Sequence, residues 1–74
     1  MKEIIKNKFG LKIDQMDIDI VYGLSYGKRT DVMGKAFKIS KRTVEHRIGR
    51  LLLITATTSS PQLVAFFLRN KLIK

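Results

Sequence analysis

Apolar residues recur at helical spacing in four separate stretches of this chain. At the first stretch, Asp14 can cap a helix N-terminus, and Gly23 and Gly27 mark the region where that helix should end. The apolar positions of this helix are Met16, Ile20, Val21 and Leu24. The pattern therefore predicts a first amphipathic helix over roughly ten residues.

The second and third stretches follow each other closely. Thr30 can cap a second helix, which is short because Ile39 and Ser40 come soon after it. The buried side of this helix is predicted to comprise Val32, Met33, Ala36 and Phe37. Ser40 is a favourable N-cap for a third helix that extends to about Ile54.

The third predicted helix has one apolar side and one polar, largely basic side. At 100° per residue, Val44, Ile48 and Leu51 share the apolar side. The opposite side carries Arg42, Glu45, His46, Gly49 and Arg50, with Thr43 and Arg47 beside it. A glycine in mid-helix costs about 1 kcal/mol relative to alanine. Close approach of a duplex or of another helix would explain Gly49.

The last stretch follows residues 55–60, which are rich in poor helix formers. Pro61 suits the first turn of a fourth helix, with Ser59 or Ser60 as its cap, and the helix extends to about Asn70. Its apolar residues are Leu63, Val64, Phe66, Phe67 and Leu68. They span more than one face, so they indicate either core packing or a surface for a partner.

One small all-α domain of four helices follows, over residues 13–74. Residues 1–12 are basic and contain Gly10, which predicts an N-terminal arm or a short frayed helix. A domain of this size leaves no room for a built-in sensor. We therefore expect its activity to be controlled by its abundance or by a protein partner.

Charge is concentrated in the middle of the chain. The sequence has 15 Lys and Arg against 6 Asp and Glu, a net charge of +9, and residues 28–50 carry most of this excess. The basic residues there are Lys28, Arg29, Lys35, Lys38, Lys41, Arg42, Arg47 and Arg50. Such a balance favours an acidic polymer as the partner, although a basic helix face is often merely solvated.

Several classes of protein are disfavoured by what the sequence lacks. Without cysteine and with a single histidine, we expect no disulfide, no metal site and no cofactor. No signal peptide and no apolar run of about 20 residues is present, so we expect a cytoplasmic protein. Glu45 and His46 are adjacent but have no nucleophile placed to use them, and no glycine-rich phosphate loop exists, so we expect no catalytic residue.

Two helices joined by a short turn, the second of them basic on its outer side, are typical of a helix-turn-helix motif. A helix that enters the major groove needs cations near phosphate and hydrogen-bonding groups near base edges. The base-reading candidates are Arg42, Glu45, His46 and Gly49. The phosphate-contact candidates are Lys28, Arg29, Thr30, Lys41, Thr43, Arg47 and Arg50.

Residues 13–73 resemble the LuxR/GerE-type helix-turn-helix domain. The string Ile39-Ser40-Lys41-Arg42-Thr43-Val44 looks like the family's Ile-Ser-x-x-Thr-Val, and Gly27 matches its glycine before the second helix. Asp17 and Asp19 stand where the family has two glutamates. The resemblance implies base readers on the third helix and dimer contacts on the fourth. The dimer candidates are Leu63, Phe66, Phe67 and Asn70.

The chain departs from the family at four positions. Glu45 replaces a common lysine, and His46 is displaced by one position from the family's frequent histidine. Thr55 replaces a core leucine, and Gly34 an alanine. These departures predict a divergent member with an unusual target site.

We therefore expect a sequence-specific regulator of transcription that binds double-stranded DNA as a homodimer. We expect it to be bacterial, or encoded by a phage or plasmid, and to be associated with the nucleoid. The alternative is a protein-interaction module of the same fold that binds another regulator, which Glu45 and the apolar fourth helix favour. A membrane-surface peptide would need one long amphipathic helix, and the glycines and Pro61 argue against it.

Overall fold

The computed structural model describes residues 4–5 and 12–74. It contains a short strand pair and four helices: β1 Ile4–Ile5, β2 Ile13–Asp14, α1 Gln15–Ser25, α2 Thr30–Phe37, α3 Lys41–Ile54 and α4 Ser60–Arg69. The strands are antiparallel, with Ile4 opposite Asp14 and Ile5 opposite Ile13. The four predicted helices are confirmed. Residues 4–5 are extended and not helical, and residues 1–3 and 6–11 of the predicted arm lie outside the described residues.

Three of the predicted N-caps are confirmed. The Asp14 carboxylate accepts a hydrogen bond of 2.9 Å from the backbone N–H of Asp17, and Asp17 accepts one of 3.1 Å from the backbone N–H of Asp14. This reciprocal capping box begins α1. Ser40 caps α3 by accepting from the backbone N–H of Thr43 at 3.0 Å, and Ser59 caps α4 in the same way.

The prediction for the start and the buried side of α2 was partly wrong. Thr30 is the first helical residue, and Arg29 occupies the N-cap position without a side-chain hydrogen bond to the helix. Val32 and Ala36 are exposed, whereas Met33 is buried as predicted. The reason is that α2 is rotated so that residues 33, 34 and 37 face the rest of the domain, and a short helix offers too few turns to define that rotation from sequence.

Gly34 permits the close connection between α2 and α3. A Cβ atom there would lie 2.9 Å from the carbonyl oxygen of Ile39 and 3.2 Å from the backbone nitrogen of Lys41. The chain folds back at Lys38, whose φ of 59° is left-handed, and the N–H of Ile39 donates to the carbonyl of Gly34 at 2.9 Å. The turn therefore reaches α3 within three residues of the end of α2.

The core lies between the four helices and includes the predicted apolar side of α3. Its buried residues are Ile13, Ile20, Val21, Met33, Val44, Ile48, Leu51, Leu63, Phe67 and Ile73. Leu63 and Phe67 are completely buried, so their side chains belong to this core and cannot form the dimer contacts predicted for them. A small domain needs its large apolar side chains to bury enough surface for stability.

Thr55 ends α3 and is a buried polar residue. Its side chain is buried, and its hydroxyl donates to the carbonyl of Leu51 at 2.7 Å and lies 2.9 Å from the hydroxyl of Thr57. The next residue, Ala56, is left-handed with a φ of 55°. The hydroxyl of Thr55 is thus satisfied, and the helix stops there.

No helix in the described part of the chain is long and apolar enough to cross a membrane.

Candidate nucleic-acid interface

The four predicted base-reading residues lie on one side of α3. Arg42, Glu45 and His46 are exposed, and Gly49 is half-buried. Val44 and Ile48 lie on the opposite, buried side, as the 3.6-residue period requires. The capped start of α3 therefore presents a polar surface while its other side supports the core.

Arg42 and His46 have free side chains in the described structure, where neither makes an ion pair or a side-chain hydrogen bond. Glu45 is engaged, because its carboxylate lies 3.8 Å from the Nζ atom of Lys41 and 3.4 Å from the hydroxyl of Thr30. The contact with Thr30 joins the middle of α3 to the start of α2. A predicted base-reading residue on α3 is therefore in contact with a predicted phosphate-contact residue on α2, and the two helices share one exposed surface.

Further cations lie where α2 begins. Lys28 is exposed and has no ion pair among the described residues. Arg29 is exposed and donates two hydrogen bonds to Asp31, at 3.2 and 3.0 Å. The hydrogen bonds from Arg29 lower the pKa of Asp31 below its ordinary value. The Arg29–Asp31 pair lies in solvent and is therefore weak, so both Arg29 and Lys28 remain available as cations.

The N-terminus of α3 adds hydroxyl and backbone groups to this surface. The hydroxyls of Ser40 and Thr43 lie 2.8 Å apart, and both residues are exposed beside Lys41. A helix N-terminus carries partial positive charge, and it favours anions when side-chain donors and cations lie beside it. Thr43 and Lys41, two predicted phosphate contacts, both lie at this N-terminus.

Arg47 and Arg50 lie on the other edge of α3 and are paired with acids from α1 and its N-cap. Arg47 donates from one terminal nitrogen to Asp14 at 3.1 Å and to Asp17 at 3.0 Å. Arg50 donates to the second carboxylate oxygen of Asp17 and, at 2.9 Å, to the backbone carbonyl of Lys12. We call Asp14, Asp17, Arg47 and Arg50 the inner ion cluster.

Most of the inner ion cluster is shielded from solvent. The side chain of Asp17 is fully buried and that of Arg47 is 14% exposed, whereas that of Arg50 is 37% exposed. Burial acts to lower the pKa of Arg47, but its hydrogen bonds to Asp17 and Asp14 and their charges outweigh burial and raise that pKa. The guanidinium groups of Arg47 and Arg50 were both predicted to contact phosphate, but they hold α3 against the start of α1.

Sequence reasoning missed the role of Asp14 and Asp17 as partners of the arginines. The signal available to it was an acidic stretch, residues 14–19, preceding a basic one. The partners are 30 and 33 positions apart, and helical spacing relates only residues on the same helix.

Two of the four predicted dimer residues remain near the surface of α4. Phe66 and Asn70 are half-buried, and the Asn70 amide donates to the carbonyl of Phe66 at 2.8 Å. Leu68, which was not predicted as a dimer contact, is 45% exposed on the same helix.

Among residues 12–74, no group of three or more His, Asp or Glu side chains could hold a metal ion. The chain matches no family model, no curated protein and no solved structure. A functional interpretation of this surface therefore depends on its own geometry and chemistry.

Proposed function

We propose that this protein is a sequence-specific regulator of transcription that binds double-stranded DNA with α3 in the major groove. The observation that carries the proposal is the exposed side of α3, where Arg42 and His46 are free and cations from the start of α2 lie alongside. The major groove admits one helix between walls of phosphate, so this combination suits it.

Each exposed group on α3 has a chemical counterpart in the groove. Arg42 can donate to guanine O6 and N7 or to a phosphate, and His46 can donate or accept. Glu45 can accept from cytosine N4 once it leaves Lys41, a weak exposed pair at 3.8 Å. Lys28, Lys41 and Thr43 would contact phosphate.

We also propose a LuxR/GerE-like arrangement and a homodimer. The four helices, the Ser40 cap and the string from Ile39 to Val44 support the first proposal. The exposed Leu68 and the half-buried Phe66 on α4 support a self-complementary contact, which two copies can share across a twofold axis. The two α3 helices would then meet half-sites about 34 Å apart.

Selection from a pool of random duplexes tests the proposal. We expect an enriched motif with twofold symmetry and an affinity that falls steeply as salt is added. Arg42→Ala should lose affinity for this motif, whereas Arg69→Ala, which removes the same charge from an exposed position on α4, should lose much less. Failure to enrich any motif would remove sequence specificity, and failure to bind any duplex would contradict the proposal as a whole.

A second candidate function is binding of another regulator through the same fold. A groove between α1 and α2 favours it, because Tyr22 and Val32 there are 46% and 47% exposed beside Phe37. Tyrosine and apolar side chains are enriched at the energetic centres of protein interfaces. Such binding would depend weakly on salt, unlike contacts to several phosphates, so a salt titration separates the two functions.

A further inference from the structure

Gly49 has no structural reason within the described part of the domain to be glycine. A Cβ atom at Gly49 would have no neighbour within 4 Å there, whereas at Gly23 it would meet Met33 and at Gly34 it would meet backbone. Glycine inside a helix is less favourable than alanine. The missing side chain therefore leaves open space on the outer side of α3.

Leu53 is the second unexplained residue on this helix. It is 83% exposed, while the other exposed large apolar residues in residues 12–74 are between 45% and 67% exposed. Its neighbours Leu52 and Ile54 are half-buried and pack against the core. Leu53 therefore contributes little to the core and presents nearly its whole side chain outward.

Gly49 and Leu53 continue the line of free polar residues along α3. At 100° per residue, positions 42, 46, 49 and 53 fall within about 60° of one another. They extend over about 16 Å of the helix axis, nearly the full length of Lys41–Ile54. We call this line the outer stripe: Arg42, His46, Gly49 and Leu53.

The charge beside the outer stripe indicates what covers it. Lys41 and Arg42 are exposed cations at its N-terminal end, in a chain of net charge +9. A duplex supplies the opposite charge in its phosphates and one apolar group in the major groove, the 5-methyl of thymine. The cations at the start of the outer stripe are suited to phosphates, and the exposed leucine at its end is suited to a thymine methyl group. The glycine between them leaves room for the duplex to come close to the backbone of α3.

We propose that α3 lies along the major groove over its whole length, an inference that rests on the proposed function. In this arrangement Gly49 is the point of closest approach, and Leu53 packs on a thymine methyl group. Leu53 is thus a specificity-determining residue that confers a preference for thymine beyond the positions that Arg42 and His46 read.

Replacement of thymidine by deoxyuridine tests the contact, because it removes only the methyl group. In the duplex enriched by selection, thymidines are replaced one position at a time. We expect one position in each half-site at which the replacement weakens binding about fourfold, the effect of losing one buried methyl group. Leu53→Ala should abolish this difference, and Tyr26→Ala, which removes another exposed large side chain at the end of α1, should retain it.

Gly49→Ala supplies an independent readout. We expect it to raise the melting temperature by about 4 °C, because alanine favours the helix, and to weaken duplex binding about tenfold through crowding. Equal binding of thymidine and deoxyuridine duplexes at every position would overturn the Leu53 contact. Undiminished binding by Gly49→Ala would overturn the close approach, and a duplex would still be bound in both cases. Failure of the proposed function would instead abolish duplex binding itself.

Discussion

Both edges of α3 carry arginine side chains, but the arginine on one edge is exposed and the arginine on the other is held in ion pairs. On the outer stripe, the guanidinium of Arg42 is exposed and has no partner among the described residues. In the inner ion cluster, Arg47 is 14% exposed and donates to two carboxylates. The two arginines are five positions apart in sequence. The role of each is therefore decided by what lies across from it in space and not by its place in a basic segment.

The largest effect should come from the shared carboxylate of the inner ion cluster. Asp17→Asn leaves Arg47 and Arg50 without the charge that both contact, and we expect a loss of about 3 kcal/mol in the free energy of unfolding. Urea denaturation measures this loss. Asp19→Asn is the matched control, because Asp19 accepts one exposed hydrogen bond from Gln15, and it should change stability by less than about 0.5 kcal/mol. Equal losses would show that the cluster does not fasten α3.

The next largest effect on the free energy of unfolding is expected for alanine at Arg47, whereas alanine at Arg42 should have little effect. Arg47→Ala removes both ion pairs from α1 and its cap, and we expect it to cost about 2 kcal/mol of unfolding free energy. Arg42→Ala should cost less than about 0.5 kcal/mol. Thermal unfolding of the two variants compares them directly, and similar melting temperatures would contradict the distinction.

The same pair should behave in the opposite sense in DNA binding. Arg42→Ala is expected to weaken duplex binding and to relax base preference at one position. Lys41→Ala, at a predicted phosphate contact, should lower the slope of log affinity against log salt concentration by about one unit. Arg47→Ala, measured where it is fully folded, should leave that slope unchanged, since its charge is already compensated. The sequence predicts a unit change for Arg50→Ala as well, but its contacts with Asp17 and Lys12 make a smaller change the expected result. A salt titration with a fluorescent duplex decides this.

The smallest effect on stability is expected at Glu45. Its pair with Lys41 is exposed and 3.8 Å long, so Glu45→Gln should change the unfolding free energy by less than about 0.5 kcal/mol. Base preference should change at one position, because glutamine pairs with adenine and glutamate with cytosine. Repeating the duplex selection with this variant detects the change, and an unaltered motif would place Glu45 outside the base-reading surface.

Much of the local structure was predictable because it depends on neighbouring residues. Asp14, Ser40 and Ser59 cap helices through hydrogen bonds to a backbone N–H three residues onward, which requires no tertiary contact. The apolar side of α3 was predictable for a similar reason, since a 14-residue helix defines its face over several turns. Thr30 failed as a cap because Arg29 occupies that position and the Thr30 hydroxyl points to Glu45 on another helix.

Residues of the candidate site also differ in whether their role could be predicted from neighbouring residues alone. Arg42, His46 and Gly49 of the outer stripe could be placed on the surface from periodicity, because they share one helix and point away from an apolar side. The exposure of Leu53 came only from the structure. The pairing of Arg47 and Arg50 could not, because Asp17 lies 30 or more positions away and nothing local indicates which cation it contacts. The same limit applies to Leu63 and Phe67, which the sequence left open between core and interface and the fold places in the core.

The sequence by itself therefore determined four helices, the caps of three of them and a basic, outward-facing third helix, because hydrogen bonds and periodicity act within a few residues. The tertiary structure decided which charges remain free. A buried carboxylate is stabilised by the cations that reach it, and only the packing of α1 against α3 selects Arg47 and Arg50 and leaves Arg42 and His46 on the open face.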